Sequence, residues 1–163
     1  MVTGGNTAST DRNKSIRFFD VASGVELGRH VLPRPQTATE NCTIHNLNVV
    51  PLPRQGKKPM RYVLVHGSYQ SGIGVVDFSR IHEPYTDLYA NETTEEIAYA
   101  DPAPLNDDVL VLGGDWSSYW YNGRIYQSDI TRGVFIWNLA SNRVAGAMNL
   151  DHLNPQTQEI SFD

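Results

Sequence analysis

His45 and Asp115 are the residues whose types and positions most readily suggest chemistry, because each begins the first predicted strand of a repeated unit. If those strands line a common axis, an imidazole nitrogen and a carboxylate oxygen converge there and could bind a divalent metal. His66 ends an apolar run and could reach the same face. His45, Asp115 and His66 are therefore candidate metal ligands. The alternative is that they hydrogen-bond to neighbouring backbone or, for His66, lie half-buried and satisfied.

The other histidines and the single cysteine give weaker signals. His30, His82 and His152 lie in turn-like or outer-strand contexts and show no ligand spacing. Cys42 is the only cysteine, so an intrachain disulfide is impossible, the redox compartment stays open, and we expect a buried thiol. The sequence contains no Gly-x-Ser-x-Gly, no His-Glu-x-x-His and no phosphate-binding loop, so it carries none of these catalytic motifs.

An acidic loop offers a second candidate cation site. Asp101, Asn106, Asp107 and Asp108 supply the hard oxygen ligands that Ca²⁺ prefers, so Ca²⁺ is a second candidate cofactor beside a divalent transition metal. Their spacing does not match an EF-hand, and a Pro- and Asp-rich stretch is usually a solvated loop. A loop without a bound ion is the default prediction.

Four aromatic residues form the densest aromatic group in the chain. Strict alternation would place Trp116 with Trp120 on one face of a strand and Tyr119 with Tyr121 on the other. One face should pack between neighbouring units, whereas an exposed face could stack against a carbohydrate or a peptide. We treat these four residues as a candidate ligand or partner surface, with packing between units as the alternative.

A sequence segment that recurs three times indicates which structural elements position these residues. The aligned residues Asp20, Asp77 and Asn138 follow or end a short apolar run and lie 57 and 61 residues apart. A period of roughly 40–60 residues built from several strands is typical of a β-propeller blade. Turn formation explains these polar residues, and it also explains Asp129.

The sequence therefore predicts an all-β fold: a partial β-propeller with two complete four-stranded antiparallel blades and the outer strands of a preceding blade. A closed propeller needs about four to eight blades. The remaining blades must come from a longer parent chain or from another polypeptide, and the chain alone should self-associate or be unstable through its open sheet edges. Within a single domain over 1–163, we predict the end of a blade at 15–35, a blade at 43–99, the last blade at 113–150 and a tail at 151–163.

Periodicity and turn residues predict the individual strands. Residues 96–99 make a better fourth strand for the first whole blade than residues 85–89, because their apolar residues alternate. Asn122-Gly123 is a strong two-residue hairpin signal. The other predicted strands are 15–22, 25–32, 45–52, 61–67, 73–78, 115–121, 124–129, 133–139 and 143–149.

Composition restricts the possible partners. The formal net charge is −5 and 40% of residues are hydrophobic, which favours a globular protein and argues against general nucleic-acid binding. No apolar run is long enough for a transmembrane helix, and the N-terminus lacks the pattern of a signal peptide.

Several motifs resemble the LVIVD-repeat β-propeller family, and its actinobacterial members in particular. They are an inner strand that opens Ile44-His45-Asn46-Leu47, the strand Gly72-Ile73-Gly74-Val75-Val76-Asp77-Phe78-Ser79, the aromatic stretch Gly113-Gly114-Asp115-Trp116-Ser117, and the C-terminal His152-Leu153-Asn154-Pro155. The resemblance covers nearly everything after residue 15. It implies a propeller fold, a position near the C-terminus of a longer chain, and an extracellular or cell-surface location. It implies no reaction.

Two functions are compatible with these observations. We expect a non-enzymatic binding or scaffold module, part of an exported propeller that engages another protein chain or a surface ligand. The alternative is a metal-dependent hydrolase or copper-dependent oxidase, with a site on the propeller axis that includes His45 and Asp115. Stoichiometric metal in the intact parent protein would favour the enzyme.

Overall fold

The computed structural model describes residues 14–52, 56–57 and 61–147. These residues form an all-β fold with one short 3₁₀ turn at Asn142–Val144. The strands are β1 (Ser15–Phe19), β2 (Glu26–Val31), β3 (Leu47–Leu52), β4 (Arg61–Gly67), β5 (Ile73–Asp77), β6 (Glu95–Ala100), β7 (Asp115–Tyr121), β8 (Arg124–Asp129) and β9 (Gly133–Trp137).

The strands form three antiparallel sheets, each a simple meander. Sheet 1 contains β1 and β2, sheet 2 has the order β3-β4-β5-β6, and sheet 3 has the order β7-β8-β9. Successive meanders of this kind are consistent with a partial propeller, which builds each blade from one antiparallel sheet. The prediction of an all-β fold is confirmed.

Local sequence explains the hairpins. Asn122 and Gly123 both have positive φ angles, 47° and 73°, as a two-residue turn of type I′ requires, and they join β7 to β8. The turn after β1 is closed by Asp20, whose Oδ1 accepts a hydrogen bond from the Ser23 backbone N–H at 2.7 Å. The backbone N–H of Ser79 is bonded to Asp77 Oδ1 in the same manner after β5. The turn-forming role predicted for these aspartates is confirmed.

Sheet 2 is buried on both faces. Alternate residues of β4 point to opposite sides, so Val63 and Val65 join the core shared with sheet 3, whereas Leu64 packs with Ile16 of sheet 1. Trp120 and Ile125 are the sheet 3 members of the larger core. Sheet 2 is thus the central layer, and its side chains meet both neighbours.

The predicted strand bounds hold closely except at the end of the chain. The fourth strand of sheet 2 is β6, which confirms residues 96–99 over 85–89. The strand predicted at 143–149 is wrong over its described part, because the 3₁₀ turn places Val144 in the core instead. Its last two residues lie outside the described ranges, as do the predicted tail and His152, so sheet 3 has three strands in the described part of the chain.

Candidate functional site

His45 lies just before β3 in an aromatic environment. Its Nδ1 is 2.9 Å from the backbone carbonyl oxygen of Trp116. The centroid of its ring is 4.1 Å from that of Trp116 and 5.5 Å from that of Tyr69. One ring nitrogen is therefore engaged with the backbone of sheet 3, which corresponds to the structural alternative foreseen for this residue.

Asp115 is fully buried at the start of β7. Its Oδ2 accepts a hydrogen bond from Ser118 Oγ at 2.7 Å, whereas Oδ1 has no hydrogen-bond partner among the described residues. Burial raises the pKa of Asp115 to about 7, against the effect of the Ser118 hydrogen bond and with a contribution from the negative charge of Asp129. This carboxyl group is largely protonated below neutral pH.

His66 and Asp115 lie on opposite faces of β4. A Cβ atom on Gly67 would come within 2.8 Å of the Asp115 carboxylate, so Gly67 faces Asp115. His66 precedes Gly67 in the strand and therefore points to the other face. The structure thus does not bring His45, Asp115 and His66 together as a ligand set. It groups His66 with two other residues instead.

That group, which we call the histidine–glutamate cluster, consists of His30 on β2, His66 on β4 and Glu96 on β6. One potential ligand atom from each residue lies within 4.8 Å of the other two. Both histidines are completely buried, and the Glu96 side chain is 5% exposed. Two sheets and three strands therefore contribute to one polar cluster in the interior.

Hydrogen bonds orient all three side chains. His30 Nδ1 lies 3.1 Å from Thr94 Oγ1, and His66 Nδ1 lies 2.8 Å from Ser68 Oγ. Glu96 Oε2 accepts from Arg34 Nε at 2.9 Å. The remaining atoms, both Nε2 nitrogens and Glu96 Oε1, have no hydrogen-bond partner within the described residues.

The hydrogen bonds of Thr94 favour one tautomer of His30. The Thr94 hydroxyl donates to the backbone carbonyl of Arg29 at 3.4 Å, so its oxygen is left to accept from His30 Nδ1–H. The lone pair of His30 then lies on Nε2. The protonated nitrogen faces the supporting hydroxyl, and the basic nitrogen belongs to the cluster.

Burial keeps both imidazoles neutral. Desolvation, together with the nearby positive charge of Arg34, lowers the pKa of His30 to about 4. The pKa of His66 is lowered well below 6.5 by desolvation, by His30 and by Arg34. Burial raises the pKa of Glu96, and the Arg34 guanidinium counteracts this effect. At neutral pH the histidines can therefore act as electron-pair donors.

The acidic loop does not form a comparable cluster. Asp101 accepts from Arg34 at 2.6 Å and from Gln36 at 2.9 Å, so its carboxylate is part of the support for Glu96. Asn106 Oδ1 accepts from the backbone N–H groups of Asp108 and Val109. Within the described ranges, the histidine–glutamate cluster is the one group of three candidate ligands that the structure assembles.

A β-bulge changes the arrangement of the aromatic residues in β7. The pairing with β8 shifts between Asp115 and Ser117, so Trp116 has no direct partner across the strands. Trp116 is 45% exposed, whereas Trp120 is 4% exposed and lies in the core. The alternation predicted for Trp116 and Trp120 fails because the bulge inserts one extra residue, and Trp120 is not available to a ligand.

The described residues leave one face of sheet 3 open. Cross-strand pairs place Tyr119 opposite Tyr126 and Tyr126 opposite Ile136, in a row across the sheet. Val134 is 71% exposed and Ile136 is 60% exposed, and the tyrosines are half-buried. We call the set Tyr119, Tyr121, Tyr126, Val134 and Ile136 the open face. It contains two of the aromatic residues proposed from the sequence as a partner surface.

Comparison with known proteins leaves the family unassigned. No family model, no curated protein and no solved structure matches the chain. The likeness to LVIVD-repeat propellers therefore stays a resemblance of motifs. In the part of the chain that the structure describes, no helix has the length and apolar character needed to cross a membrane.

Proposed function

We propose that this chain is a non-enzymatic binding or scaffold module, part of an exported propeller of the LVIVD type, whose open face engages a β-sheet of another chain or of a longer parent chain. The observation that carries the proposal is the contrast between the two faces of sheet 3. Trp120 and Ile125 bury one face against sheet 2, whereas Val134 and Ile136 leave the other face exposed.

The chemistry of the open face favours a β-sheet as its partner. Its apolar residues are aromatic or β-branched and alternate with the residues of the packed face, as in a sheet that has neighbours on both sides. The exposed polar residues Arg124 and Ser128 lie on the same face. Burying an exposed Val or Ile side chain contributes about 1.5–3 kcal/mol. Covering Val134 and Ile136 together would therefore provide a substantial share of the free energy of a stable interface.

The edge strand β9 supports the same interpretation. Among the described residues β9 pairs with β8 alone, so one edge of sheet 3 is open next to the exposed apolar face. Edges of this kind readily pair with other strands. The extracellular or cell-surface location belongs to the proposal and rests on the motif resemblance.

Sedimentation velocity of the purified chain tests the proposal. We expect the wild-type chain to self-associate as its concentration rises, because a second copy can cover the open face. Val134→Lys should weaken this association at least tenfold, since a charge would be buried in the interface. Val21→Lys is the matched control: Val21 is 99% exposed in the β1–β2 turn, so the same substitution should leave association unchanged. A compact monomer at every concentration, or equal effects of both substitutions, would contradict the proposal.

A further inference from the structure

The histidine–glutamate cluster contains three buried polar atoms whose hydrogen-bonding capacity is not used by the described residues. These atoms are His30 Nε2, His66 Nε2 and Glu96 Oε1. One potential ligand atom of each residue lies within 4.8 Å of those of the other two. Each buried polar atom without a partner costs about 1–3 kcal/mol. The described residues contain nine such side-chain atoms, and three of them belong to this one cluster. Three such atoms in one place indicate a ligand that all three contact.

We propose that His30, His66 and Glu96 bind a divalent transition metal, with Zn²⁺ as the first candidate, and that the ion fastens sheet 1 to sheet 2. Two imidazole nitrogens and one carboxylate oxygen are a donor set that Zn²⁺ and its neighbours in the first transition row accept. Ca²⁺ and Mg²⁺ prefer oxygen ligands and are not expected here.

The geometry requires only a small closure around the ion. Ligand atoms at about 2.0–2.1 Å from Zn²⁺ are roughly 3.3 Å apart in a tetrahedral site. The ligand atoms here are at most 4.8 Å apart, so each pair must approach by no more than about 1.5 Å. Gly74, which pairs with His66 across the sheet, leaves the space for this approach. A Cβ atom at Gly74 would lie 2.4 Å from His66 Nε2 and 2.6 Å from Glu96 Oε1.

Each ligand is held by a second group, as is usual in metal sites. The Thr94 and Ser68 hydroxyls bind the Nδ1 atoms and leave the Nε2 atoms for the ion. Arg34 binds one oxygen of Glu96 and one oxygen of Asp101. With neutral imidazoles and both carboxylates ionised, as in a metal-bound site, the two carboxylates and one guanidinium carry a net charge of −1, which favours a cation.

Burial and the origin of the ligands point to a structural role. His30 belongs to sheet 1, and His66 and Glu96 belong to sheet 2. Both imidazoles are inaccessible to solvent, as expected of an ion held inside the fold. The ion would therefore stabilise the fold, independently of the binding function proposed for the open face.

Metal titration of the full chain tests the inference. After removal of metals with a chelator, the chain should bind close to one Zn²⁺, as measured by calorimetry and elemental analysis. Zn²⁺ should also raise the midpoint of thermal unfolding, because an ion that binds only the folded state stabilises it. Co²⁺ in the same site, with a water molecule as the fourth ligand, should give the intense visible absorption of a tetrahedral complex.

The variants separate this site from adventitious binding. His66→Asn keeps a group near Nδ1 to bond Ser68 but removes Nε2, and Glu96→Gln keeps the shape of the side chain. Each should weaken Zn²⁺ binding by at least the 10–100-fold that loss of a supporting group costs. His82→Asn, at an exposed histidine, is the control and should change nothing.

Three results would overturn the inference. The first is that the wild type does not bind stoichiometric Zn²⁺. The second is that His82→Asn abolishes Zn²⁺ binding whereas Glu96→Gln preserves it. The third is a Co²⁺ spectrum of the weak octahedral type. If His66→Asn does not fold, the wild-type Co²⁺ spectrum and Glu96→Gln still decide the question. A water molecule bonded to the three atoms would produce the first of these results.

Discussion

Asp115 makes the stability of the fold depend on pH. Its pKa is about 7 in the folded chain and near 3.8 when unfolded. The folded state therefore binds more protons between these values, and stability falls as pH rises from about 4 to 7, by up to ~1.4 kcal/mol per unit. Below this range the carboxyl group is protonated in both states, and above it the full cost of burying the charge is present.

Asp115→Asn should remove this contribution. The free energy of unfolding of the variant relative to the wild type should increase steadily between about pH 4 and pH 7. Urea denaturation at a series of pH values measures it, and the difference between the two proteins cancels the titration of the buried histidines. Asp107→Asn, at an exposed carboxylate, should follow the wild type. Parallel curves for Asp115→Asn and the wild type would show that Asp115 is ionised in the folded state.

His30 is a member of the histidine–glutamate cluster that the sequence did not predict. The sequence predicted a turn-like or outer-strand context for His30, without ligand spacing. The structure places His30 in β2, and the packing of two sheets brings it to His66. A histidine that follows an apolar strand, such as His66, carries a local signal. Its partners on β2 and β6 depend on tertiary contacts that no local pattern contains.

Among the structural elements, the turn after β5 is tied to its neighbours by Asp77. The Asp77 side chain is 4% exposed, and its Oδ2 bonds Arg61 at 3.0 Å and Arg143 at 2.8 Å. Burial alone would raise the pKa of Asp77, but hydrogen bonds from Ser79 and Arg143 and the charge of Arg61 lower it below 3.8. The ionised form therefore stabilises the fold above about pH 4, and this contribution is lost as pH falls through the folded pKa.

Asp77→Asn should destabilise the chain by about 1 kcal/mol at neutral pH. The estimate is small because both arginines are partly exposed and solvent screens the ion pairs. Asp20→Asn is the matched control, since Asp20 occupies the corresponding turn after β1 and has no ion pair among the described contacts. Chemical denaturation at pH 7 compares the two, and equal losses would mean that the turn itself, not the arginines, accounts for the effect.

The strands were predictable because their signals are local. Alternation and turn residues gave β4, β7 and β8 with the bounds that the structure shows. The bulge at Trp116 was not predictable, because it depends on the register with β8 and on the backbone pair between Tyr69 and Asp115. The 3₁₀ turn at the end likewise follows from the packing of Val144 against two sheets.

For the whole molecule, repetition in the sequence was enough to predict several successive antiparallel sheets but not the contacts between them. The aligned residues Asp20 and Asp77 marked units of the expected length, and the structure has one meander in each described unit. What joins the units is specific to each junction. Sheets 1 and 2 meet through a small apolar cluster and the histidine–glutamate cluster, and sheets 2 and 3 share the larger core.

The junctions also differ in their backbone connections. Tyr69 and Asp115 exchange two backbone hydrogen bonds, of 2.9 and 2.8 Å, which connect the β4–β5 turn of sheet 2 to the first residue of β7 in sheet 3. Across the first junction, Asn91 bonds both backbone groups of Val31 through its side chain, and the described residues show no backbone-to-backbone bond there. Sheet 1 is therefore attached through side chains.

This asymmetry sets the order in which the fold should open. Amides of β1 and β2 should exchange with deuterated solvent before those of β4 and β5, because sheet 1 can detach without breaking a backbone hydrogen bond to another sheet among the described residues. Added Zn²⁺ should slow exchange in β2 selectively, which mass spectrometry of peptic fragments can measure. Uniform protection across the three sheets would indicate a single cooperative unit. With the expected order, sheet 1 is a layer that detaches from the rest of the fold, and the availability of a metal ion determines how often it does so.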